Sequence, residues 1–124
     1  MKIKTSKLTG TALDWFVAKC EGGIEQGVYG TPVLMESGLH LHYCDVLLSH
    51  PYSPSTDWAE GGPLIQMYEI DLKVVEEGMW QASNYFNDLA IHRFVGYSPL
   101  EAAMRCYVAF KLGDEVDIPD ELLP

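Results

Sequence analysis

The stretch "SPLEAAMRCYVAFKLG", residues 98–113, constrains the fold more than any other part of the chain. Ser98 suits an N-cap, Pro99 the first helical position and Glu101 the third, a full capping box with the favoured proline. Leu100, Ala103, Met104, Tyr107 and Val108 recur at helical spacing and form one apolar stripe. Gly113 stops the helix. A helix with such a face must bury it against a second layer.

Strand patterns supply that layer. "EIDLKVV" alternates around Ile70, Leu72 and Val74, "MWQASNYF" follows a Glu-Glu-Gly turn, and "LAIHRFV" follows Asn87-Asp88, which reads as a hairpin turn. Earlier, Ser37-Gly38 separates two extended runs. The second run places Leu39, Leu41 and Tyr43 on one face and His40, His42 and Cys44 on the other. Near the N-terminus, "TALDWFVAKC" reads as a helix with a Thr11–Asp14 capping box. Leu13, Val17 and Cys20 share a face, Phe16 lies beside it, and Gly22-Gly23 ends it. The acidic tail "DEVDIPDELLP" reads as partly extended along the surface. The expected fold is α+β, a small antiparallel sheet packed with helices as a layered α/β sandwich. It forms one domain over residues 1–124, with 114–124 as the tail.

"HPYSPSTDWAEGGPLIQ" carries the most specific site signal. Ser55 or Thr56 can cap a helix whose first turn holds Asp57, and Gly61-Gly62 before Pro63 should interrupt or bend that helix. Hydroxyl residues at a helix start expose backbone N–H groups that favour anions. Gly61 and Gly62 let backbone approach a ligand, and Trp58 offers a surface for stacking a base. The alternative is a capped turn with Trp58 in the core. Asp57 would repel a phosphate unless it faced ribose hydroxyls. The stretch lacks the GK[ST] ending of a P-loop.

Composition excludes several classes. With 18 acidic and 8 basic residues the net charge is −10, which argues against general nucleic acid binding and permits docking on a basic protein patch. No apolar run spans a membrane and no apolar segment follows the basic N-terminus, so a cytoplasmic location is expected. Cys20, Cys44 and Cys106 have no CxxC spacing and read as buried thiols. His40, His42 and Cys44 lie about 6.6 Å apart along a strand, a poor zinc geometry without a further ligand such as His50. Neither metal nor cofactor is expected. Arg93 and Arg105 are the best candidates for an anionic partner, against the alternative of salt bridges to the many acids. No GxSxG elbow and no oriented Cys–His pair appears, so catalysis is not expected.

"YSPSTDWAEGGPLI", Trp80 in "MWQA" and "SPLEAAMRCYVAFKLGDEV" resemble the phage NinX-like family, as does the opening "MKIKTSKLTGTALDWFVAKCEG". The resemblance covers nearly the whole chain. A looser pattern similarity to a phage α-β-α sandwich group supports a layered fold by analogy. The resemblance implies a phage origin and expression inside an infected bacterium. It implies no particular activity.

The combined expectation is a small non-catalytic phage accessory protein that binds a nucleotide-derived small molecule, such as a host immune signal sequestered in anti-defence. Its ligand-binding residues would be Ser55, Thr56, Asp57, Trp58, Gly61, Gly62, Trp80, Arg93 and Arg105. A homo-oligomer is expected, because a second subunit can close a small pocket. One alternative is an acidic adaptor or inhibitor of a host protein, marked by an exposed apolar patch around Trp15, Phe16 and Tyr29. A second is a nucleotide-directed enzyme.

Overall fold

The fold is seen in a computed structural model. It describes residues 1–21, 31–35, 38–43, 46–47, 52–84, 92–119 and 122, and only the backbone of those between 31 and 47. Among these residues lie helices α1 (Gly10–Cys20), α2 (Trp58–Met67) and α3 (Pro99–Leu112). The strands are β1 (Lys2–Lys4), β2 (Thr31–Met35), β3 (Gly38–Tyr43), β4 (Val46–Leu47), β5 (Asp71–Glu76), β6 (Met79–Asn84), β7 (His92–Gly96) and β8 (Glu115–Asp117). They form two antiparallel three-stranded sheets, β2-β3-β4 and β5-β6-β7, and a two-stranded pair, β1-β8. The class is α+β, as the alternating patterns require.

Helix α3 is the hub. Ser98 Oγ accepts the Glu101 N–H at 3.0 Å, Pro99 opens the helix, and Gly113 ends it at φ +95°. The capping box is displaced by one residue, because the Glu101 carboxylate takes the N–H of Tyr97 at 3.0 Å rather than that of Ser98. The expected stripe is buried, and Ala102, Cys106 and Ala109 are buried with it. This helix is therefore covered nearly all round, by β6, β7, α1, α2 and the short 3-10 turn Thr5–Lys7. Gly96 makes the sheet contact possible, since a Cβ there would stand 2.8 Å from the Ala102 nitrogen.

Two local expectations are corrected and a third is made definite. Helix α1 has Thr9, not Thr11, at its N-cap position, without a side-chain cap bond, and Asp14 is turned inward, 6% exposed. Its carboxylate binds outside its own helix, where a buried acceptor is worth more than one facing water. Helix α2 is capped by Asp57, not by Ser55 or Thr56: Asp57 Oδ1 accepts the Ala59 N–H at 2.9 Å. It then runs unbroken through Gly61, Gly62 and Pro63. Proline removes one intrahelical bond, and the packing of Gly61 and Leu64 offsets that loss. Finally, the tail contributes β8, which pairs with β1 and buries Val116 and Ile118. The Gly22-Gly23 stop and the Asn87-Asp88 turn lie outside the described residues. So do Ser37 of the first turn signal and Cys44.

Candidate functional site

The turn leading into α2 is held from three directions. Asp14 Oδ1 of α1 accepts the Ser55 N–H at 2.8 Å, and Glu60 Oε1 of α2 accepts the Ser53 N–H at 2.7 Å. Gly61 lies directly beneath, where a Cβ would come 2.3 Å from the Pro54 carbonyl oxygen and 2.7 Å from Leu100 Cδ2. Thus α1 and α2 both fix the same turn, and Leu100 of α3 packs against Gly61 behind it.

That turn walls a surface cleft of about 200 Å³ lined by Ser55, Thr56, Trp58, Ser98, Pro99 and Leu100. Trp58 is the first residue of α2 and remains 54% exposed, so it is not a core residue. Its ring rests on α2, with Cε3 3.7 Å from where a Gly62 Cβ would stand. The starts of α2 and α3 therefore border one cleft. Their positive ends are partly answered already, by the Asp57 carboxylate on Ala59 and the Ser98 hydroxyl on Glu101. The cleft offers an aromatic face and the hydroxyls of Thr56 and Ser98 more than free positive charge, since the Ser55 hydroxyl is buried.

The nine residues singled out from sequence separate into two groups. Ser55, Thr56 and Trp58 line the cleft and Asp57 caps the helix beside it; Gly61, packed against Pro54 and Leu100, and Gly62, next to the Trp58 ring, do not line it. Trp80, Arg93 and Arg105 do not line it. Trp80 is half-buried on β6, opposite Gly96, and packs against the core. Arg93 is exposed on β7. Arg105 donates through Nε to the Leu8 carbonyl and through Nη1 to the Val95 carbonyl, both at 2.7 Å, and its Nη1 stands 3.6 Å from Glu101 Oε1. It ties the N-terminal segment to β7 and α3.

Sequence reasoning missed Ser98, Pro99 and Leu100 as cleft residues, because the helix start explained the first two and the apolar stripe the third. It also missed the role of Asp14. Burial pushes this carboxyl up to about 6, against the opposing effect of Ser55, and the neighbouring Glu60 charge adds to the rise. An acidic residue beside the apolar positions Leu13 and Val17 was the available signal.

Elsewhere the chemistry is quiet. Among the described residues no cluster of three metal-ligating side chains occurs. The side chains of His40 and His42 lie outside the description. Cys20 and Cys106 are pushed up to about 12 by burial and are poor nucleophiles. The expected apolar patch is not formed by Trp15 and Phe16: Phe16 is 1% exposed, and Trp15 packs partly buried against the core. Tyr29 is outside the described residues. No helix among them is long and apolar enough to cross a membrane.

The family model described as "Bacteriophage P22, NinX" matches residues 4–111. The chain belongs to this phage NinX family. The matched span includes the whole cleft, from Ser55 to Leu100, and the Asp14 contact beneath it. No curated protein matches the chain. As a NinX family member it is a small phage protein.

Proposed function

We propose that this NinX family protein is a non-catalytic binding protein and that the Trp58 cleft is its recognition site. The ligand class we assign is a nucleotide-derived small molecule held mainly by ring stacking. Acting in the cytoplasm of the infected bacterium, such a binder would sequester a host signal. The observation that carries the reading is the exposure of Trp58 at the mouth of a cleft lined by Ser55, Thr56 and Ser98. An indole face binds any base, at about 1–3 kcal/mol per stacked ring. The cleft is smaller than the roughly 300–1,000 Å³ of pockets that enclose a whole ligand. It would take one ring system, leaving the remainder across the surface or against a second subunit.

A thermal-shift panel of nucleotides, cyclic dinucleotides and ADP-ribose derivatives tests this. A ligand at 100 times its Kd adds about 2.7 kcal/mol of stability. That shift should vanish in Trp58→Ala while the unliganded protein stays folded. A panel without any shift would overturn the reading.

A second reading is an adaptor docking on a basic host protein. Tyr97 favours it, being 79% exposed beside the cleft residue Ser98, while Asp57 and Glu60 give the surroundings a negative charge. Capture of a bacterial protein that depends on both Trp58 and Tyr97 would select it.

A further inference from the structure

We infer that Asp14 and Ser55 form a proton-operated latch on the wall of the Trp58 cleft. This rests on reading the cleft as the binding site, and deepens it by giving the site a means of regulation. Asp14 comes from α1, outside the cleft. Its Oδ1 nevertheless accepts the backbone N–H of a residue that lines it, at 2.8 Å and in a buried setting. Ser55 itself is 4% exposed, and its Oγ has no partner of hydrogen-bonding geometry, although the hydroxyl lies near enough to favour the Asp14 charge.

Protonation of Asp14 alters this contact. The carboxylate is an acceptor only, whereas the carboxylic acid carries one O–H donor. With the proton in place the acid can donate to Ser55 Oγ where the carboxylate could only accept, and the Ser55 amide bond loses its charge assistance at the same moment. Both effects act on one residue and re-seat the turn between Ser53 and Asp57. Trp58 follows Asp57 directly and should sense the movement. The groups facing Asp14 set the pH of the switch. Glu60 of α2 favours the proton, and the Ser55 amide and hydroxyl oppose it. The Tyr52 phenol, itself held up by burial and by the charges of Glu21, Glu60 and Asp14, stays neutral throughout. With burial dominant, the carboxyl titrates at about 6, within reach of small pH changes near neutrality.

The test needs no ligand. In the ¹⁵N-labelled protein, the Ser55 amide and the Trp58 indole N–H are followed from about pH 4.5 to 8, the indole being assigned with Trp58→Phe. The expected result is that both resonances move together with one midpoint near pH 6, and that Asp14→Asn, which keeps an acceptor but cannot titrate, leaves both flat. Movement of Ser55 with a stationary Trp58 would overturn the latch, as would no movement of Ser55. A Trp58 transition persisting in Asp14→Asn would assign the effect to another group and overturn it too. If the variant does not fold, the wild-type titration still overturns the latch wherever Ser55 or Trp58 stays flat through pH 6. A ligand panel without shifts would leave this titration intact, so failure of the binding reading and failure of the latch are separable.

Discussion

Adjacent residues can look alike in sequence and differ entirely in space. Gly61 and Gly62 both read as places where backbone can approach a ligand. What approaches Gly61 is the protein itself: the Pro54 carbonyl and Leu100 leave no room for a Cβ. Gly62 has only ordinary contact with Trp58. Gly61→Ala should therefore destabilise the protein by about 1–3 kcal/mol through overpacking. Gly62→Ala should be neutral or stabilising by up to about 1 kcal/mol, because alanine suits a helix interior better. Urea melts of the two variants check the contrast. Arg105 illustrates the same lesson. As a guanidinium in an acidic chain it suggested an anion site, but its donors serve two backbone carbonyls. Arg105→Ala should cost about 2–4 kcal/mol, because hydrogen bonds to charged groups are worth about 1.5–3 kcal/mol each and orphaned carbonyls add to the loss. Arg105→Lys should recover only part, since an ammonium does not reproduce the fork.

Helix α3 was legible almost to the residue, because its cap, proline, apolar stripe and stop glycine all describe local structure. The strands β5 to β7 were legible for the same reason, through period-two alternation. Helix α2 was misread where tertiary packing overrides local preference: nothing local to Gly61-Gly62-Pro63 reports that Leu100 and Pro54 wait to receive it. The β1-β8 pair was missed because Lys2, Lys4, Glu115 and Asp117 look like solvated ends. Only the partners Ile3 and Val116, far apart in sequence and opposite in register, show the strands. The cleft was half legible. Ser55, Thr56 and Trp58 came from one stretch, while Ser98 to Leu100 joined them through the fold. This bears on the tail, whose extended part is the paired strand β8. Removing residues 114–124 should lower stability by roughly 3–6 kcal/mol, from lost burial of Val116 and Ile118. It would also strip Thr5 of the Asp114 carbonyl that its N–H bonds at 2.8 Å. A thermal melt of the truncated chain measures the loss.

For the whole molecule, the acidic balance and the buried acid act in the same direction. At a net charge of −10 the folded chain gains little from further ionisation, and Asp14 makes one such ionisation costly. Its carboxyl is raised from 3.8 to about 6 in the folded state, so the native protein binds the extra proton between those values. Stability must then fall as pH rises through that window and level off above it, the reverse of a salt-bridged aspartate. A shift of this size corresponds to about 3 kcal/mol, and Asp14 is too buried for solvent to screen it away. Asp117 opposes the trend, since the N-terminal ammonium at 3.0 Å holds its carboxyl below the usual range. That pair is fully exposed and contributes little. Denaturant melts at pH 4.5 and 7.5 should show the wild-type protein more stable at the lower value. Asp14→Asn should lose most of that difference by gaining stability at pH 7.5, where it replaces a buried charge with a neutral acceptor for Ser55. Equal pH dependence in the two proteins would mean that Asp14 is ionised at little cost, and the Ser55 contact would then be a fixed strut with no switching role.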